Sequence, residues 1–224
     1  MTLLKAGGED ETLVHSDDEA YSSWLFRAAR ELTKSSLPDF SQIAAYAVTN
    51  GPGSFTGVRV GLAAVKAWAE VYGRPIVAMS RLEVLASQSH SAAKYVAACF
   101  DAHRGQLFGG LFVREPSGLR RHGEDMVGTP EEFGDWVAAQ VQGAEVAWIS
   151  PDSRLFADAL RNGFRPVGGI EPGEMPLAPT LGRLACARLA RGESTDALHL
   201  DANYVRRTDA EVLWKGPSRP LTRV

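Results

Sequence analysis

Three groups of residues have the types and spacing to do chemistry. The first is Gly51-Pro52-Gly53-Ser54-Phe55-Thr56-Gly57, set between a strand-like segment and a helical one. At such a junction backbone N–H groups and the helix dipole favour an anion, so phosphate is its functional reading, with Gly51, Gly53, Ser54 and Gly57 as the candidate contacts. Stricter motifs fail on spacing. A Walker loop needs Lys-Ser or Lys-Thr after its last glycine, the third glycine of GxGxxG comes one residue late, and GxSxG fails because Ser54 directly follows Gly53. Glycines and Pro52 that turn the chain tightly into a closely packed helix account for the same residues. The second group is Asp101-Ala102-His103-Arg104-Gly105, a carboxylate, imidazole and guanidinium set that reads either as acid-base machinery or as a hairpin turn, for which Asp and Gly are suited. The third is the basic end, Tyr204-Val205-Arg206-Arg207 with Lys215, Arg219 and Arg223, which suits RNA, an acidic partner or plain solvation. The histidines His15, His90, His103, His122 and His199 show neither HxxxH nor HExxH, so no metal-ligand motif is present. Cys99 and Cys186 lie in apolar contexts and read as buried thiols of a reducing compartment.

Composition bounds these readings. The 224 residues are 45% hydrophobic and 23% charged, enough for one or two globular domains. With 24 basic against 27 acidic residues the formal charge is −3, unlike a stand-alone nucleic-acid binder; an RNA substrate would be held by something else. The start MTLLKAGGEDET has no apolar signal core, and no run approaches the roughly 18 apolar residues of a membrane span, so cytoplasm is expected.

The elements that must position these groups follow from periodicity. Residues 2–6 and 11–16 read as a hairpin, 19–34 as a helix with Tyr21, Trp24, Leu25, Ala28 and Leu32 on one stripe, and 43–49 as a buried strand. Phe26 lies off that stripe, either an incidental exposed hydrophobe or a contact surface. A long helix spans 56–72 and ends at Gly73; a strand at 75–79 leads to Ser80-Arg81-Leu82-Glu83, which has capping-box spacing. Strands at 95–100, 106–114 and 145–150 and helices at 130–142, 153–162 and 177–191 follow, with 215–224 as a mobile tail. In the 56–72 helix Val58, Leu62, Val65, Ala69 and Tyr72 form one apolar face, and Val60, Ala64, Ala67 and Val71 a second, with Gly61 and Trp68 between, which leaves Arg59, Ala63, Lys66 and Glu70 for the polar side. Two apolar faces need two covers, the second being the 19–34 helix or another subunit.

Strand-NGPGSFTGVRVGLAAVKAWA, GRPIVAMSRLEVLA, VAACFDAHRGQLFGGLF and YVRR, in that order across most of the chain, closely resemble the bacterial TsaB (YeaZ) family. The resemblance implies an α/β fold of two actin-like, Hsp70 and sugar-kinase (ASKHA) lobes, each an RNase H-like mixed sheet with helices. Their expected extents are 1–90 and 91–210, before a tail at 211–224. It further implies a non-catalytic partner of TsaD, joined by the ATPase TsaE, in making threonylcarbamoyladenosine on tRNA. The chain itself would then be no enzyme and hold no cofactor, ATP and metal belonging to the partners, and would meet tRNA only indirectly. In the family the first-lobe helices contact TsaD, or a second copy in its absence. That maps onto Trp24, Phe26, Val60, Ala64, Ala67, Trp68 and Val71, where Ala64→Glu or Ala67→Glu should break association and spare the fold. One departure is that Met1 opens where the family's second strand lies, so the first strand and its Asp-Thr-Ser turn are expected to be missing, through a downstream start or truncation. The competing class is an independent enzyme, a phosphate-binding transferase or a glycoprotease-like peptidase.

Overall fold

The computed structural model describes residues 1–205 except 7, 17, 37–39, 162–165 and 167–168. The expected hairpin forms with short strands, β1 (Thr2–Leu3) against β2 (Glu11–Thr12), antiparallel with Thr2 opposite Thr12. Helix α1 (Tyr21–Ser36) buries Trp24, Leu25, Ala28, Ala29 and Leu32, the stripe that a helical period requires. Glu19, expected inside this helix, lies before it and pairs with Arg27 at 2.6 Å.

Strand β3 (Tyr46–Thr49), helix α2 (Phe55–Tyr72) and strand β4 (Ile76–Met79) form a crossover unit, its strands parallel with Tyr46 opposite Ile76. Ser54 caps α2 by accepting the Gly57 N–H, and Gly73 ends it in the left-handed region, its N–H returning to Ala69. The β1–β2 and β3–β4 pairs are separate two-stranded sheets.

After α3 (Arg81–Ala86) come β5 (Tyr95–His103), β6 (Gln106–Glu115), β7 (Gly118–Arg121) and β8 (Met126–Gly128), then α4 (Pro130–Val141) and β9 (Val146–Ser150). The expected 153–162 helix is a 3-10 turn, Ser153–Phe156, followed by α5 (Ala157–Arg161). Strand β10 (Ile170–Pro172) and α6 (Ala178–Ala190) close the succession. The large sheet has the order β10-β9-β5-β6-β7, with β8 also on β6. Strands β5, β9 and β10 are parallel and β5, β6 and β7 antiparallel, the mixed RNase H-like pattern.

Helix α4 covers one face of this sheet, with Phe133 and Val137 against Leu107, Leu111 and Trp148. Helices α3 and α6 cover the other, with Leu82, Leu85, Leu181 and Ala185 against Val96, Phe100 and Phe112. Each Val, Leu or Phe side chain among these contributes about 1.5–3 kcal/mol when fully buried. Gly109 on β6 admits Phe133 so closely that a Cβ there would lie 2.5 Å from the ring. Helix α6 also packs on β1, β3 and β4, so a segment expected within the 91–210 lobe supports the first.

Two local expectations change. Ser80 caps α3 through the Leu82 N–H, but Glu83 does not close the box; its carboxylate pairs instead with Arg188 on α6. The reciprocal capping box occurs at α4, between Thr129 and Glu132. Cys99 is buried, which pushes its thiol up to about 12, whereas Cys186 is exposed on the outward side of α6. Arg206, Arg207, Lys215, Arg219, Arg223 and the expected tail lie outside the described residues.

Candidate functional site

Helix α2 distributes its apolar residues over three surroundings. Leu62, Val65 and Ala69 sink into the core with Tyr46, Ile76 and Leu200, the first face expected from periodicity. Ala64 enters the seam with α1, buried among Trp24, Leu25 and Ala28, with Val60 and Trp68 partly buried at its edges. The remaining row, Phe55, Arg59, Ala63, Ala67 and Val71, recurs every fourth residue and faces solvent. Phe26 of α1 stands beside it, 56% exposed, its ring edge-on to Trp68 at 6.0 Å between centroids. Val71 is 73% exposed.

The structure therefore sets Phe26 against Trp68, leaves Ala67 and Val71 exposed on α2 with Val60 partly buried, and removes Trp24 and Ala64 to the interior. The second cover inferred for α2 is, in part, α1 itself. Phe55, Arg59 and Ala63 belong to the exposed row although Arg59 and Ala63 read as its polar side in the sequence. The signal is the four-residue spacing from Phe55 to Val71, which runs from the polar side of the helix into its second apolar face.

At the head of this row lies the glycine loop. Gly51 has φ of 118°, and a side-chain carbon at this position would meet the Asn203 carbonyl oxygen at 2.6 Å, so both conformation and space demand glycine. The Gly51 carbonyl accepts the Arg81 N–H at 2.6 Å, and the Asn50 carbonyl accepts the Asn203 N–H at 2.7 Å. Gly53 lies beside the Arg81 guanidinium, which stacks over Phe100 at 3.8 Å and whose burial lowers its pKa. Arg59 donates from Nε to the Tyr204 hydroxyl at 2.8 Å and stands 3.5 Å over the Phe55 ring. Ser54 and Gly57 are the two ends of the α2 cap. Gly51, Ser54 and Gly57 thus have conformational roles in turning the chain into α2.

Asp101 and His103 sit at the exposed tip of the β5–β6 hairpin. Asp101 Oδ1 accepts the His103 N–H at 2.7 Å, and His103, Arg104 and Gly105 take successive positive φ values, the geometry of a turn. A cleft of about 420 Å³ opens between β4 and residues 193–201, lined by Asn50, Arg188, Glu193, His199 and Asp201 among others. Among the described residues no three His, Cys, Asp or Glu side chains are grouped to hold a metal, and no helix is long and apolar enough to cross a membrane.

A family model described as TsaD: tRNA N6-adenosine threonylcarbamoyltransferase matches residues 15–142. The chain is 30% identical over 173 residues to the tRNA threonylcarbamoyladenosine biosynthesis protein TsaB of Bacillus subtilis, covering 75% of this chain and 71% of that protein. To the protein of the same name from Escherichia coli it is 28% identical, covering 83% of this chain and 79% of the other. Two solved Pseudomonas aeruginosa structures are similar, both at 27% identity. One, described as an uncharacterized protein with similarity to peptidase YeaZ, has a TM-score of 0.72 and covers 92% of this chain and 93% of its own. The other, YeaZ, has a TM-score of 0.70 and covers 91% and 92%. The mixed sheet and its helices have the ASKHA-type architecture of these neighbours. On these relatives, the chain belongs to the TsaB (YeaZ) family.

Proposed function

We propose that this chain serves the biosynthesis of tRNA threonylcarbamoyladenosine as a non-catalytic accessory subunit. Its α1–α2 face docks a TsaD-type transferase subunit, or a second copy of the chain when that subunit is absent. The observation that carries this reading is the exposed row Phe55, Arg59, Ala63, Ala67 and Val71 with Phe26 beside it. Small residues in the middle let a facing helix come within the 8–10 Å of ordinary helix packing, and the flanking Phe26 and Val71 supply apolar area at its margins. An aromatic side chain standing out of such a surface is the type of group that anchors an interface.

Transfer chemistry, ATP and metal then belong to the partner subunits, TsaD and TsaE, and tRNA meets this chain only indirectly, in the cytoplasm. The −3 charge supports the last point, because the chain alone has no excess of cations to neutralise phosphates. The non-catalytic role is supported by the duties of the chemically equipped residues: Ser54 caps a helix, and Asp101 with His103 shapes a turn. The test is light scattering after size exclusion, on this chain alone and mixed with TsaD from the same organism. A one-to-one complex is expected; absence of any complex would refute the docking role.

A further inference from the structure

We propose that residues 195–204 form a strap that latches the glycine loop to the second lobe and completes the docking face, so that strap closure and partner binding are linked. The inference rests on the docking role of the α1–α2 face. The strap begins on the free edge of β4, where Thr195 and Ile76 exchange both backbone hydrogen bonds, at 2.8 and 3.1 Å. It then buries Leu200 among Tyr46, Leu62, Val65 and Ala69, so it supplies part of the floor on which α2 lies.

Its last two residues reach in different directions. Asn203 donates its N–H to the Asn50 carbonyl, packs its own carbonyl where Gly51 has no side chain, and donates from Nδ2 to Asp125 Oδ2 at 2.8 Å. Asp125 belongs to the other lobe, just before β8; its side chain is 2% exposed and also holds Arg121 at 3.0 Å. Tyr204 accepts from Arg59 and lies 5.3 Å from the Phe55 ring, against the first two members of the exposed row, while remaining 47% exposed itself. Adjacent residues thus connect a buried carboxylate of the second lobe with the head of the docking face.

The latch is incompletely satisfied. Asn50 Oδ1 and Asp125 Oδ1 are both buried without a donor. A polar network in that condition is a place where local opening starts, because unpaired buried acceptors favour the state in which water reaches them. A partner that contacts Tyr204 and Phe55 binds the latched form better than the open one and shifts the balance toward it.

The test uses Asn203→Ala in the full chain, with Tyr204→Phe as a milder second variant that keeps the ring and removes the hydroxyl. Amide hydrogen exchange is read over residues 50–58 and at Arg81, and association by light scattering with the TsaD subunit. Loss of a hydrogen bond to a carboxylate corresponds to about tenfold in an opening equilibrium. Asn203→Ala should therefore speed exchange about tenfold while the latched form predominates, and should weaken association by the factor by which it lowers the latched fraction, although no exposed-row residue has changed; Tyr204→Phe should move both in the same direction by less. Asp125→Asn retains an acceptor oxygen and should keep both near wild type, where Asp125→Ala should not. Association left unchanged by a variant whose exchange shows the latch mostly open would overturn the linkage, and unchanged exchange would overturn the latch itself. If wild type associates but Ala67→Glu does so equally well, the docking face is misplaced while the exchange result still decides the latch; if wild type forms no complex, both the docking role and the linkage fall.

Discussion

Ala64 and Ala67 sit one turn apart on α2, yet substitution by glutamate should have opposite consequences. Ala64 is 4% exposed in a seam with Trp24, Leu25 and Ala28, so a glutamate there must bury its carboxylate without a partner or force the helices apart. An uncompensated buried charge costs about 3–5 kcal/mol and overpacking about 1–3 kcal/mol more, against a total stability of about 5–15 kcal/mol for a typical domain. Ala64→Glu should therefore abolish or severely weaken folding, contrary to the expectation that it would spare the fold. Ala67 faces solvent, where a glutamate changes stability by no more than about 0.5 kcal/mol. On a docked face the same carboxylate loses water without gaining a cation, and a loss of about 2.7 kcal/mol is a hundredfold in affinity. Urea unfolding followed by circular dichroism measures the first quantity and light scattering against titrated TsaD the second. An Ala64→Glu protein that unfolds at the wild-type midpoint, or an Ala67→Glu protein that associates with undiminished affinity, would refute this placement of the two alanines.

Three further outcomes can be checked by urea unfolding. Gly51→Ala should lose about 1–3 kcal/mol from its positive φ alone, and more as Asn203 is displaced; a wild-type midpoint would contradict the close approach of the strap. Gly109→Ala should cost about 1–3 kcal/mol, because its new carbon would stand 2.5 Å from a Phe133 ring that has no room to retreat; an unchanged midpoint would show that α4 yields freely. Burial raises the Asp125 carboxyl above the ordinary carboxylate range despite the opposing pull of Arg121 and Asn203, so the folded state holds its proton more tightly than the unfolded chain. Stability of the wild type relative to Asp125→Asn should then rise as pH falls from neutral through that raised pKa toward about 4, the unfolded value. A difference independent of pH would refute the assignment.

Much of this architecture follows from local signals, and the exceptions share a cause. Helix α2 was legible because its apolar period and Gly73 agree with one another, while the Ser54 cap emerges only in the structure. Strands β7, β8 and β10 were not, since GLRR, MVG and IEP are too short to show alternation and gain their identity only from the strands beside them. The spacing Ser80–Glu83 is that of Thr129–Glu132, yet only the second pair caps reciprocally, because Arg188 arrives from α6 to hold Glu83. Local chemistry proposes a bond and a charged partner from a distant helix takes the donor's place.

The same competition governs the site. Periodicity grouped Ala64 with Ala67 and set Arg59 and Ala63 apart as polar, because an angle around a helix says nothing of how wide its neighbour is. Once α1 lies against Ala64, the boundary of the uncovered surface falls between the two alanines, and the row that remains begins at Phe55 and Arg59. Tyr204 joins that row from 145 residues away, through a strap that has no repeat or motif of its own. The face proposed for docking is what remains once the described internal partners have been placed. Its most informative residues are consequently Ala67, whose mutation spares the internal packing, and Asn203, whose mutation loosens the support behind the face without altering the face.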